Sequence, residues 1–417
     1  MMWMWDDIFQ QKFLNRLDEK LNSHETRQSR HERIGWTPTR KHRKCCLDLE
    51  FTSMDASNVG ERLRRAIASG TPLLDIRDAT SFTAGHVRGA VNIPLAELRP
   101  RSPELPPAAD EAGIVLFAAT AADAATAKSY SGGLHPWTLF ATFDTSATRF
   151  WDAVRDLGLL ETGAAAGRFL WRPSPHLAPV CALVEPHVPT QGRRALDLGC
   201  GRGRDAVWLA SRGWSVVAVD NQPDFITYLG EFARRHALWG ARVQGVCLDL
   251  TAGDGSAAWR ALRALLRPPL ALVNAARFLH RGLLDFVVAA MPPGCVLCVH
   301  HFVEGATSFK SGRPIKPDDA NMRSLRPGEL AQRWRPQRLD VLLDDTGASC
   351  DGGRPMGSFA ARKPALLTVH ASRHGGDGGG GDALIVRVRV APACERAEGG
   401  SDEHGRGASR TRVLGAC

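Results

Sequence analysis

The residues best suited to chemistry lie in one short run, Ala195-Leu196-Asp197-Leu198-Gly199-Cys200-Gly201-Arg202-Gly203-Arg204. An apolar stretch ends in D-x-G-x-G-x-G and leads into a helical pattern. Glycine is needed where a backbone turns sharply or lets a ligand approach closely. Further on, Asp220 closes a second apolar stretch, 216–219. A carboxylate at that point can accept both hydroxyls of a ribose. A third acid, Asp249, follows a third apolar stretch, and Leu250-Thr251 after it leave a helix-capping role open. The spacing departs from the dinucleotide pattern G-x-G-x-x-G. Asp197, ahead of the glycines, suits a cationic amino-acid group better than a pyrophosphate. Cys200 reads as a small filler of the loop rather than a nucleophile.

These residues need a scaffold, and the pattern around them supplies one. From Arg194 onward strand and helix signals alternate: strands at 194–198, 215–219, 242–248, 269–274 and 294–302, with helices at 203–212, 223–237, 255–266 and 281–290. Two more strands fit 338–343 and 357–362. Such alternation implies a parallel sheet covered by helices. In such sheets ligands bind at the carboxyl ends of the strands, where all three acids fall.

The run at 195–204, with Asp220 and Asp249, resembles the class I S-adenosylmethionine-dependent methyltransferases. The resemblance covers roughly residues 165–363 and implies a Rossmann-like, seven-stranded α/β fold with S-adenosyl-L-methionine as cofactor. By that resemblance Gly199, Gly201 and Gly203 admit the methionine part. Asp197 orients it, Asp220 holds the ribose and Asp249 lies near the adenine. An NAD-binding or purely structural Rossmann-like domain is the alternative. Leu170-Trp171-Arg172-Pro173-Ser174-Pro175-His176, Arg277-Phe278-Leu279-His280-Arg281, His300-His301 and Leu325-Arg326-Pro327-Gly328-Glu329 resemble the branch near tellurite-resistance and thiopurine methyltransferases. Arg277, His280, Arg281 and His300 follow the fourth and fifth strands and are the candidate acceptor residues. Arg can clamp an anion and His can take a proton. Structural alternatives stay open: Arg281 as a helix cap and His300 as a core histidine. No N-P-P-Y or D-P-P-Y follows the fourth strand, which argues against methylation of nucleic-acid bases.

A second resemblance lies upstream. Leu74-Asp75-Ile76-Arg77-Asp78, Phe82, Gly85-His86-Val87-Arg88-Gly89-Ala90-Val91-Asn92-Ile93-Pro94 resemble a rhodanese-like domain, a small α/β unit. Active members end a later strand in Cys. Here that strand is Ile114-Val115-Leu116-Phe117, and the position is Ala118. No Cys occurs between Cys46 and Cys181, so sulfur carriage is not expected and Asp75, Arg77 and His86 read as structural or binding residues rather than catalytic ones. The stretch from Ala118 to Leu134 reads as shorter than usual, so part of the last helix and strand is expected to be missing.

The 417 residues then divide into an N-terminal extension (1–50), a rhodanese-like domain (51–140), a connector and substrate-side segment (141–175), a methyltransferase domain (176–364) and a Gly-rich tail (365–417). In the extension Trp5, Ile8, Phe9, Phe13, Leu17 and Leu21 recur at helical spacing. The tail reads as disordered apart from a possible strand at 383–390.

The formal net charge is +9, carried by 8 Lys and 45 Arg. That Arg skew is compositional, and only Arg40-Lys41-His42-Arg43-Lys44 clusters, so a nucleic-acid partner is not expected. Ten Cys with non-repeating spacings point to a reducing, cytoplasmic setting, with organellar targeting left open. Cys295 and Cys298 form a lone C-x-x-C within an apolar strand, and no metal is expected. No apolar run reaches the ~20 residues of a membrane span. The expected activity is methyl transfer to a small molecule, such as a thiol or other soft nucleophile. A cofactor-binding pseudoenzyme, or a sulfurtransferase using Cys45 or Cys46, is the alternative.

Overall fold

The computed structural model describes residues 59–106, 113–131, 139–164, 168–308, 312–315, 324–351, 354–364, 367–374 and 383–390. The N-terminal extension, its helical spacing, the basic run and Cys45 and Cys46 lie outside them.

The first unit begins with helix α1 (Val59–Ala68), whose Leu63 and Ala66 are fully buried. Strands β1 (Leu73–Asp75), β2 (His86–Val87) and β3 (Val91–Asn92) enclose helix α2 (Ala79–Ala84), which Asp78 caps by accepting from the Ser81 amide. A short helix α3 (Leu95–Leu98) precedes β4 (Ile114–Ala118) and α4 (Ala121–Ser131). Then follow β5 (Leu139–Asp144), α5 (Thr148–Asp156) and β6 (Leu160–Glu161). The sheet order is β3-β1-β4-β5, all parallel, while β6 pairs antiparallel with β2.

Two expectations are corrected here. The closing helix and strand are present: α4 lies within 118–134, and β5 and α5 follow beyond it. Nor is 141–175 wholly a connector, because β5 pairs with β4 and α5 covers the sheet. Phe143 and Phe150 pack on Phe117 at ring separations of 5.5 and 5.9 Å. The sheet needs that cover because buried parallel strands must be screened on both faces.

The second unit is entered by α6 (Leu177–Val184). Its strands are β7 (Arg194–Leu198), β8 (Ser215–Asp220), β9 (Val243–Cys247), β10 (Leu270–Ala276), β11 (Val296–Phe302), β12 (Asp340–Asp351) and β13 (Arg354–Arg362). Between them run α7 (Arg204–Ser211), α8 (Pro223–Arg235), α9 (Ala257–Leu265), α10 (Arg281–Ala290) and α11 (Glu329–Arg333). The seven-stranded order is β12-β13-β11-β10-β7-β8-β9, with β13 antiparallel to both neighbours and the other pairs parallel. One hydrophobic cluster lies on each face, built around Leu272 and Trp214 on one side and Leu196 and Val273 on the other. The order reverses between β7 and β10, the switch point at whose strand ends open α/β sheets have their ligand crevice.

Strands β14 (Leu367–His374) and β15 (Ala383–Val390) pair antiparallel, so the tail holds a hairpin where one strand was expected. No helix among the described residues is long and apolar enough to cross a membrane.

Candidate functional site

At this switch point lies the turn from β7 to α7. Gly199, Gly201 and Gly203 have φ of 66, 53 and 86°, the left-handed region that only glycine adopts freely. Their surroundings differ. A side-chain carbon at Gly199 would lie 2.6 Å from Phe278, and one at Gly203 would collide with Leu229. One at Gly201 meets nothing within 4 Å. Gly199 and Gly203 therefore let protein pack closely, and Gly201 borders open space. Asp220 ties the turn to β8: Gly201 N donates to its Oδ2 at 2.9 Å and Gln222 N to its Oδ1 at 3.0 Å. Asp249 is exposed and accepts from Thr251 N and Oγ1 at 2.9 and 2.6 Å, a local turn that lowers its carboxyl pKa.

Beneath the turn lies a buried polar network. Asn274, fully buried in the apolar run of β10, donates from Nδ2 to Asp197 Oδ1 (2.8 Å) and Asp205 Oδ2 (3.2 Å). Its Oδ1 faces His176 Nε2 at 2.8 Å, so that nitrogen carries the proton. Asp205 also accepts from Ser174 N at 2.8 Å, which seats the 170–177 segment against α7. Asp197 Oδ2 and His176 Nδ1 are buried without a partner. Burial, and next the neighbouring Asp205, raise the Asp197 carboxyl well above its usual range. An unpartnered buried carboxylate oxygen is costly unless a cation or donor meets it. Cys200 is pushed up by burial and by the charges of Asp197 and Asp220, which disfavours a reactive thiolate.

The four acceptor candidates separate. His280 caps α10, its Nδ1 accepting from Leu283 N at 3.0 Å. Arg281 is held by Glu329 through Nε and Nη2 at 2.5 and 2.8 Å and donates to Ser324 O at 2.9 Å. Both thus have structural duties at the start of α10. Arg277 is exposed, has φ of 56°, and its N–H donates to His300 O at 2.7 Å. A left-handed non-glycine residue in a loop is strained, a feature that clusters at functional sites. His300 is buried, with Nδ1 3.0 Å from Ser358 Oγ and its ring stacked on His176 at 5.0 Å. Burial, and then His176, depress its pKa to about 3. His300 is therefore neutral and a weak base.

Sequence reasoning singled out neither Asn274, Asp205 and His176 nor Phe278 for a role. The available signal was a lone polar residue inside an apolar strand, Leu270–Ala276. Among the described residues no cluster of His, Cys, Asp and Glu has the arrangement of a metal site.

In the first unit Asp75 and Arg77 form a buried bidentate pair, with Nη2 to Oδ2 at 2.6 Å and Nε to Oδ1 at 3.0 Å. Arg77 also donates to Gly85 O at 2.8 Å and lies over Trp151 at 4.9 Å. This pair braces the loops. After β4, Ala118 is buried and its carbonyl accepts from Thr145 N and Oγ1. Thr120 and Asp123 then cap α4 reciprocally, so a carboxylate stands at the helix end where an anion would bind.

Residues 195–268 match the family model of the methyltransferase domain, and residues 60–138 match that of the rhodanese-like domain. The chain thus carries a rhodanese-like domain followed by a methyltransferase domain. An uncharacterized protein of Schizosaccharomyces pombe, UNK4.09, is 28% identical over 187 residues, 43% of this chain and 55% of that protein. The HTH-type transcriptional regulator Rv0324 of Mycobacterium tuberculosis is 47% identical over 51 residues, 12% of this chain and 23% of that protein. The chain therefore matches about half or less of the length of these curated relatives. Among solved structures, TehB from Haemophilus influenzae is similar at 16% identity and a TM-score of 0.33, covering 45% of this chain and 61% of that one. Magnesium protoporphyrin IX methyltransferase from Synechocystis PCC 6803, solved with bound SAM, aligns at 12% identity and a TM-score of 0.33, covering 45% and 77%.

Proposed function

We propose that this chain transfers a methyl group from S-adenosylmethionine to a small anionic or readily ionised acceptor, such as a thiol or related chalcogen species. The observation that carries the reading is the Gly201 amide bonded to the Asp220 carboxylate beside open space. The residues fit the cofactor. Asp197 Oδ2, buried and unpartnered, suits an ammonium group; Asp220 keeps acceptor capacity for ribose hydroxyls; Gly201 leaves room above the turn. Asp249 stands beyond the third strand for the adenine, though its carboxylate is engaged by Thr251. When bound, the cofactor supplies an activated methyl carbon whose bond to sulfur breaks as the bond to the acceptor forms.

The protein's part is then alignment more than proton removal. His300, depressed to about 3, is a poor base, and His280 Nδ1 is committed to its cap. An acceptor that arrives as an anion or ionises near neutral pH needs no base. Arg277, exposed at the carboxyl end of β10, supplies positive charge to orient it. The rhodanese-like domain carries no sulfur on this reading, because Ala118 has no thiol and Asp123 repels an anion there. The setting that fits is a reducing one such as the cytoplasm.

The test is release of S-adenosylhomocysteine by the full chain with small thiols, selenite, tellurite and thiopurines. Turnover on one of these is expected. Turnover on a protein or RNA with none on the panel would overturn the acceptor class and leave the cofactor reading standing.

A further inference from the structure

The rhodanese-like domain meets the methyltransferase domain beside the glycine turn. Its 3-10 turn Ser102–Glu104, with Leu105 after it, presents two backbone carbonyls and one carboxylate. Arg204, the residue directly after Gly203, donates from Nε to Pro103 O at 2.6 Å and from Nη2 to Leu105 O. Glu104 is 4% exposed. It accepts from Arg101 at 2.7 and 3.1 Å within its own domain. Across the boundary it accepts from Tyr228 Oη at 3.1 Å and Arg235 Nη2 at 2.5 Å, both on α8. Helix α8 begins just beyond Asp220, and its Leu229 packs on Gly203. Arg202, inside the turn, lies over the Tyr228 ring at 5.4 Å.

One turn of the rhodanese-like domain thus grips both segments that shape the crevice. Arg204 anchors the end of the glycine turn. Glu104 and Tyr228 anchor α8, against which Arg202 and Gly203 rest. A buried carboxylate with three cationic or hydroxyl donors is costly to form unless its geometry is fixed, so the contact is rigid when made.

We infer that the 102–105 turn of the rhodanese-like domain is a positioning element for the cofactor turn, with Glu104 and Arg204 as its positioning residues. This rests on the S-adenosylmethionine reading above. It gives a domain without a nucleophile a task in the other domain's binding step: holding Gly199–Gly203 in the shape that receives ligand. A positioned turn binds more tightly because less order is lost on binding.

The experiment uses the full chain and the variants Glu104→Ala, Arg204→Lys and, as a remote control, Asp285→Ala, which breaks the exposed Asp285–Arg333 pair. Arg204→Lys keeps the charge and loses the two-carbonyl grip, so it guards against a misfolded Glu104→Ala. Two quantities are read: affinity for S-adenosylhomocysteine, and hydrogen exchange of the 199–204 amides without ligand. Glu104→Ala and Arg204→Lys should raise Kd by about tenfold and speed exchange at 199–204. Asp285→Ala should change neither, whatever its effect on melting temperature. Unchanged Kd and unchanged exchange in both variants would overturn the inference. If the wild type binds no S-adenosylhomocysteine, the cofactor reading fails, and exchange alone decides whether the turn is tethered.

Discussion

The Asp220 carboxylate accepts the Gly201 amide at 2.9 Å, joining the end of β8 to the turn after β7. One residue therefore fixes the turn's shape from the neighbouring strand. Asp220→Ala removes acceptors for both Gly201 N and Gln222 N. Cofactor affinity should weaken by about 1–3 kcal/mol, the scale of a lost charged hydrogen bond. Calorimetric titration with S-adenosylhomocysteine measures it, and unchanged affinity would remove Asp220 from the site.

Arg277 and Arg281 lie four residues apart and should answer mutation differently. Arg277→Ala should slow methyl transfer by about 10–1000-fold, the range of lost positioning, with melting temperature unchanged. Arg281→Ala breaks the clamp on Glu329 and Ser324 and should lower stability by about 1–3 kcal/mol. Paired rate and thermal-melt measurements separate the two. Equal rate losses at equal stability would contradict the division.

Acid should destabilise the methyltransferase domain through its buried histidines. His300 and His301 have folded pKa values pushed down to about 3 and about 4, mainly by burial. The unfolded chain takes up those protons near pH 6.5. Between these limits the unfolded state binds more protons, so this stabilisation is complete above about pH 6.5 and is lost as pH falls. Asp197 works in the other direction, since its raised pKa means stability is lost as pH rises above the ordinary aspartate value. His300→Asn, which cannot titrate, should flatten the fall of melting temperature between about pH 6.5 and 4. A slope identical to wild type would show that His300 titrates alike in the folded and unfolded chain.

The rhodanese-like domain should show no thiosulfate:cyanide sulfurtransferase activity. Ala118 carries no thiol, and its carbonyl is bound by Thr145. Detectable turnover in the full chain, abolished by changes in 113–145, would refute this.

Phe150 of α5 should be part of that domain's core. It is 2% exposed and packs on Phe117 and Phe143. Phe150→Ala should cost about 3–5 kcal/mol in the domain's unfolding transition. A cost under about 1 kcal/mol would make α5 a surface connector after all.

Much of this was readable in the residues. Strict alternation of apolar strand and helix runs from Arg194 gave the seven-stranded sheet almost element by element, because fully buried parallel strands are apolar on both faces. The D-x-G-x-G-x-G spacing located the turn. Spacing alone did not distinguish glycines that face open space from those that admit neighbours: Phe278 and Leu229 come from distant segments. The same holds for Asp197, whose partners Asn274, Asp205 and His176 meet it only through tertiary packing. The rhodanese-like domain is expected to end at 140, whereas β5, over Leu139–Asp144, pairs with β4 and extends that sheet, a pairing that forms only in the fold. Arg281, at a helix start, had two readings in sequence, and the ion pair with Glu329 that bears on it forms across the fold.

The central claim is that the turn at Gly199–Gly203 receives S-adenosylmethionine. Gly201 is the position to probe, since a side chain there meets open space in the protein and has φ of 53°. The direct measurement is calorimetry of S-adenosylmethionine with the wild type and with Gly201→Val, alongside circular dichroism of both. Saturable one-to-one binding by the wild type, abolished in a variant that keeps its secondary structure, is the predicted result. No binding by the wild type, or equal binding by the folded variant, would contradict the account.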